Sequence, residues 1–140
     1  MTRWFVDSNV FLRFAIRDET EQTIAAQALF RRAQQGEIDL FCGPPVFFEV
    51  AWVMKSAYKL ENAVILDFLE SMLALPQLTV FDADQVARAI TLAREHRLGF
   101  ADGYIAATAT ERNLGVATFN RAHFQKAGAR LYPFPSHAPT

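Results

Sequence analysis

Trp4-Phe5-Val6-Asp7-Ser8-Asn9-Val10-Phe11-Leu12 is the stretch on which the fold turns. Three apolar residues end abruptly on an acid, and the apolar run that follows is preceded by Asp, Ser and Asn in succession. The triplet reads as a short buried strand. Asp7, Ser8 and Asn9 can each accept a hydrogen bond from the unpaired N–H groups that open a helix, so a helix is expected to begin at once. A strand that runs directly into a helix is the building unit of a parallel α/β sheet.

Working outward, the alternation continues. Asp18-Glu19-Thr20-Glu21 opens a second helix, in which Ile24, Ala25, Ala28, Leu29 and Ala33 recur at helical spacing until Gly36 stops it. Ile38 to Cys42 is a second strand. After Gly43, the prolines at 44 and 45 suit a first helical turn, and Val46 to Tyr58 continues as an almost wholly apolar helix. Ala63 to Leu75 is another helix, closed by Pro76, and Leu78 to Phe81 is strand-like. Asp84 to His96 is amphipathic, with Val86, Ala89, Ile90 and Ala93 on one side. Gly99 breaks the chain before a small-residue helix from Asp102 to Glu111. Gly115 to Phe119 reads as a strand, Arg121 to Lys126 as a short helix and Ala129 to Tyr132 as a last strand. The expectation is an α/β fold: a central, mostly parallel sheet with helices on both faces, three layers in all. In such sheets ligands bind beyond the carboxyl ends of the strands.

The 140 residues suit one domain, 1–140, with a Pro-rich tail from 133 to 140 expected to fray. The formal net charge of -1 lacks the strong basic excess of a free-standing nucleic-acid binder, although acids gathered in a site and ringed by Arg would give the same balance. The single cysteine, Cys42, excludes an internal disulfide and a zinc knuckle, and its apolar neighbours suggest a buried, inert thiol. No apolar run has the ~18 residues of a membrane span, and Asp7 interrupts the opening segment too early for a signal peptide. A cytoplasmic protein with no membrane partner is expected.

Four residues invite a chemical reading. Asp7 ends the first strand, and Asn120 directly follows the strand ending at Phe119. Asp102 stands at the opening of the small-residue helix. Glu49 interrupts the apolar helical stretch Val46 to Met54. Each has an ordinary structural reading as well: helix caps for Asp7 and Asp102, a solvent edge or a basic partner for Glu49, a turn for Asn120. If the acids converge, two carboxylates ~5 Å apart repel by about 3 kcal/mol at an effective dielectric near 20, so the cluster needs protons or cations. Oxygen donors without His or Cys select hard ions, magnesium or manganese first.

Taken together, these segments resemble the PIN domains and, more narrowly, the VapC-type toxin ribonucleases. The resemblance is carried by Phe5-Val6-Asp7-Ser8-Asn9-Val10-Phe11-Leu12-Arg13-Phe14 with Arg17-Asp18-Glu19, by Phe48-Glu49-Val50-Ala51-Trp52-Val53, by Phe100-Ala101-Asp102-Gly103-Tyr104-Ile105-Ala106-Ala107, and by Ala117-Thr118-Phe119-Asn120 with Phe124. It runs from Trp4 to about Leu131. It implies the PIN fold and a Mg2+-dependent endoribonuclease, with Mn2+ able to substitute, that hydrolyses RNA phosphodiester bonds. Asp7, Glu49 and Asp102 would hold the metal, with Asn120 as the fourth catalytic position and Ser8 orienting water or ligand. It also implies a small antitoxin partner, as in type II toxin–antitoxin systems, and a homodimer. The departure is Asn120, where most active relatives carry Asp, which puts a full two-metal mechanism in doubt.

Arg13 and Arg17 can bind phosphate bidentately or can simply line a solvated helix face. His96 and His123 lie in none of these motifs and read as surface histidines. The faces around Phe11, Phe14 and Phe30 suit a partner surface or the core, with core the default. The competing functions are a PIN nuclease that processes RNA without an antitoxin, and an RNA-binding module whose catalysis has weakened at Asn120.

Overall fold

The computed structural model describes residues 2–135, in two compact units, Met1–Ala87 and Arg88–Thr140. The tail expected to fray from Pro133 passes out of the described residues after Pro135.

The first unit holds the sheet. β1 (Thr2–Phe5), β2 (Ile38–Cys42) and β3 (Leu78–Val80) are all parallel, in the order β1-β2-β3. Thr2 pairs with Ile38 and Leu40 with Leu78. Parallel neighbours require long crossovers, and helices supply them. α1 (Ser8–Ala15) and α2 (Thr20–Gln34) join β1 to β2, and α3 (Pro44–Ser56) and α4 (Asn62–Leu73) join β2 to β3. The α/β class and the parallel sheet read from the sequence are therefore those of the structure.

Local chemistry accounts for the boundaries. α2 stops where Gly36 adopts φ +78°, and the N–H groups of Gly36 and Glu37 close onto the carbonyls of Ala33 and Arg32 at 3.0 Å each. α3 opens on Pro44 and Pro45, whose missing N–H groups would have had no helical partner there. The buried side of this unit includes Phe11, Leu40, Phe47, Val50, Leu66, Leu69 and Met72. Phe30 packs against Phe11 and edge-on against Phe14, with centroids 5.6 and 5.1 Å away. Phe11 and Phe30 belong to this core.

Two strand expectations need correction. The run at Trp4 and Phe5 does form a strand, at an edge of the three-stranded sheet, but Thr2–Phe5 is exposed throughout and burial begins at Val6. The stretches around Val116 and Leu131 form a single parallel bridge, not two strands. The Val116 N–H donates to the Arg130 carbonyl at 2.7 Å and the Tyr132 N–H to the Val116 carbonyl at 2.9 Å. Just beyond Val116, the Asn120 N–H donates to Thr118 Oγ1 at 2.9 Å, a local turn that competes with extension, and Pro133 has no N–H to give.

The second unit is helical. α5 (Ala83–His96) enters it, followed by α6 (Phe100–Glu111) and α7 (Arg121–Lys126). Its core joins Ala106, Ala109, Val116 and Phe124, flanked by Leu92, Ala127, Ala129 and Leu131. α6 lies very close to α5: a Cβ added at Gly103 would stand 2.6 Å from the Ala89 carbonyl oxygen and 3.0 Å from the Ala93 Cβ. Arg88 and Glu111 pair across the same two helices at 2.9 Å. Among the described residues, no helix is long and apolar enough to cross a membrane.

Candidate functional site

In the first unit, pairing with β2 continues past β1 through the Val6 N–H, which donates to the Phe41 carbonyl at 2.8 Å. Asp7 comes next, with extended backbone (φ -80°, ψ 162°), as the N-cap of α1. Its Oδ1 accepts the Ser8 N–H at 2.7 Å and lies 3.4 Å from the Ser8 hydroxyl. The capping reading of Asp7 is thus correct in geometry. It leaves Asp7 exposed just beyond the carboxyl end of a parallel strand, with its carboxylate oriented by a buried Ser8.

Glu49 is on α3, between the buried Phe47 and Val50, yet it is exposed. Val46, Phe47, Val50 and Met54 form the buried stripe, and Glu49 falls off it. The apolar sequence around it therefore does not translate into a buried charge, and no desolvation cost of that kind arises.

Arg13 and Arg17 differ sharply. Arg13 Nε donates to Gln22 at 2.8 Å and its Nη1 to Asp18 at 2.8 Å, and the Tyr58 hydroxyl donates to the other oxygen of Asp18 at 3.2 Å. The bond that Arg13 Nη1 donates to the Tyr58 hydroxyl at 3.5 Å first, and the Asp18 charge with it, hold the Arg13 guanidinium above its ordinary pKa. Thr23 adds a hydroxyl bond to the Arg13 carbonyl at 3.1 Å, so the group ties α1 to α2 and to the end of α3. Arg17 is exposed.

In the second unit, Gly99 is the N-cap of α6, and Asp102 stands in the first turn. Asp102 is therefore not the cap that the sequence suggested. A carboxylate in a first turn is favoured by the helix dipole. Its Oδ2 lies 3.0 Å from Nδ1 of His123 on α7. His123 is exposed, as a surface histidine should be, but its contact with Asp102 is what the sequence did not show. His123 is three residues after Asn120, but nothing local links it to Asp102, 21 residues away. The link depends on α7 packing on α6 through Phe124. Asn120 is the N-cap residue of α7, exposed, and its side chain makes no capping hydrogen bond, so its amide oxygen is not used up by the helix. His96 stays a surface group, 3.8 Å from Glu95.

Asp7 and Glu49 thus belong to the first unit, and Asp102, Asn120 and His123 to the second. Within neither unit do three His, Cys, Asp or Glu side chains gather as a metal-holding group among the described residues. Each unit offers oxygen donors of the kind a hard divalent cation takes, the carboxylates of Asp7 and Glu49 in the first and the Asp102 carboxylate and Asn120 amide in the second, while the single thiol, Cys42, is fully buried.

The family model for the PIN domain matches residues 4–129, nine-tenths of the chain. The chain belongs to the PIN domain family. PIN domains are generally nucleases, so this PIN domain is assigned to a hydrolase family. Two solved structures are similar to it. One, described as the structure of FitAB bound to an IR36 DNA fragment, is 21% identical over 99% of this chain and 100% of that one, with a TM-score of 0.36. The other, FitAcB from Neisseria gonorrhoeae, is 26% identical over 95% and 97%, with a TM-score of 0.35. No curated protein matches.

Proposed function

We propose that this PIN domain is a Mg2+- or Mn2+-dependent endoribonuclease and the toxin half of a type II toxin–antitoxin pair. The observation that carries the reading is Asp7: an exposed carboxylate just past a parallel strand, held at one oxygen by the Ser8 N–H. That is where α/β sheets bind ligands, and Asp7 lies within the residues that the PIN model matches.

Asp7, Glu49 and Asp102 would hold the cation, with the Asn120 amide oxygen as a neutral fourth donor. When bound, a divalent ion supplies Lewis acidity at the scissile phosphate and lowers the pKa of a water. The protein's own groups do the positioning. Ser8 fixes the Asp7 carboxylate, and His123 restrains Asp102 from the α7 side. Arg17, exposed and without an ion pair among the described residues, is available to a phosphate oxygen, whereas Arg13 is already engaged by Asp18 and Gln22. A groove of about 450 Å³ between α1 and α2, lined by Val10, Ala25 and Leu29 together with Arg13 and Gln22, supports an antitoxin segment as partner. A homodimer belongs to the same reading.

The neutral Asn120 favours a second reading, an RNA-binding module with weakened catalysis. The test is cleavage of a mixed RNA pool by the purified protein in Mg2+, Mn2+ or chelator, beside Asp7→Asn and Asp102→Asn. Metal-dependent cutting lost in either variant is expected. No cutting by the folded protein in either metal, with activity recovered in Asn120→Asp, would establish the second reading instead.

A further inference from the structure

Residues 88–140 carry seven Lys and Arg against three Asp and Glu, a formal net charge of +4, while residues 1–87 carry seven against twelve, or -5. The near-neutral total hides a cationic unit, and charge asymmetry of this kind points to a polyanion. On that unit three aromatic rings stand at the surface: Phe119 is 84% exposed, Tyr132 55% and Phe134 38%. They form one assembly. Phe119 and Phe134 stack with centroids 4.5 Å apart and planes 26° from parallel, and Tyr132 meets Phe134 edge-on at 4.8 Å. Stacking on one side leaves the other side of Phe119 open.

One cation is tied to the rings and a second shares a cavity with one of them. Arg121 donates from Nη1 to the Tyr132 carbonyl at 3.1 Å, which fixes its guanidinium beside them. Arg130 lines a shallow cavity of about 410 Å³ with Gly115, Ala117 and Tyr132. Phe119 also directly precedes Asn120, the fourth position of the proposed site.

We propose that Phe119, backed by Phe134 and Tyr132, is a stacking platform for one unpaired base of single-stranded RNA, with Arg121 and Arg130 meeting the adjacent phosphates. Flat aromatic faces combined with fixed cations are the elements that single-strand binders use. Duplex RNA is excluded as the occupant because its bases are already stacked on one another. The platform deepens the nuclease reading and rests on it: it would seat the base next to the phosphate that is cut.

The test is fluorescence anisotropy with a labelled 12-nucleotide single-stranded RNA in EDTA, using the full chain, Phe119→Ala and Phe119→Tyr, with an RNA cleavage assay of the wild type in Mn2+ alongside. Phe119→Ala is expected to weaken binding about 5- to 150-fold, the span of one lost base stack. Phe119→Tyr should retain affinity, and a duplex of the same sequence should bind equally to all three proteins. Because Phe119 is exposed, the variants should keep the wild-type circular dichroism. Unchanged affinity in Phe119→Ala overturns the platform while leaving the nuclease reading intact if the wild type cuts RNA. A wild type that neither binds nor cuts overturns both. Loss of a dimer on sizing without loss of RNA affinity assigns the rings to a protein interface and overturns the proposal.

Discussion

Replacing Gly103 by Ala tests how Asp102 is held in place. The new Cβ would lie 2.6 Å from the Ala89 carbonyl oxygen, 3.0 Å from the Ala93 Cβ and 3.3 Å from the Ala93 amide nitrogen. The nearest obstacle is backbone, so relief requires α5 and α6 to move apart by several tenths of an ångström. Overpacking of this sort costs about 1–3 kcal/mol. Ala regains up to about 1 kcal/mol in helix propensity over Gly. With that gain taken in full, the net expectation is destabilisation by up to about 2 kcal/mol, and more for Gly103→Val, which adds two further methyl groups and gains less propensity. Gly99→Ser is the control, because a Cβ there meets nothing within 4 Å and the serine offers a capping oxygen that Gly99 lacks. Urea unfolding followed by circular dichroism gives the midpoints. The expected order from most to least stable is Gly99→Ser, wild type, Gly103→Ala, Gly103→Val. A Gly103→Ala protein more stable than wild type would refute the close contact of α5 and α6. Because position 103 adjoins Asp102, Gly103→Ala should also weaken Mn2+ binding.

Removing the partner of a metal-binding carboxylate commonly costs ten- to a hundredfold in metal affinity. His123→Ala is therefore expected to lose about tenfold in Mn2+ affinity by calorimetry, and His123→Asn, whose amide can donate near the Nδ1 position, should retain most of it; equal affinity in wild type and His123→Ala would contradict the role given to His123. Cys42 is fully buried, and desolvation pushes its thiol up to about 12. The unfolded chain ionises this thiol in the ordinary range while the folded chain does not, so stability should fall as pH rises from that range toward about 12, and Cys42→Ala should lose this component. Ellman's reagent should react with Cys42 slowly in buffer and fast in urea; fast reaction in buffer would refute the burial.

The alternation of elements was legible because it is a near-neighbour property. Apolar spacing, the cap at Asp7, the stop at Gly36 and the prolines opening α3 act over a few residues, and the sequence carries them in full. The four oxygen-bearing positions were legible as motifs for the same reason. Their settings were less so. Glu49 sits in an apolar run yet faces solvent, since helical rotation, not local composition, sets the side on which a residue emerges. Asp102 looked like a cap, but the helix starts two residues earlier, behind Gly99.

By itself, then, the sequence determined an α/β chain with a parallel sheet, the family and the candidate acids. Tertiary structure decided the partners. It gave Arg13 to Asp18 and Gln22, leaving Arg17 as the available cation of the two. It brought His123 to Asp102 across 21 residues, through the packing of α7 on α6. It reduced two expected strands to one bridge and assembled Phe119, Tyr132 and Phe134 on a cationic surface that the overall charge had concealed. Such pairings depend on how packed helices and turns place side chains in space, and no pattern of spacing along the chain encodes that placement.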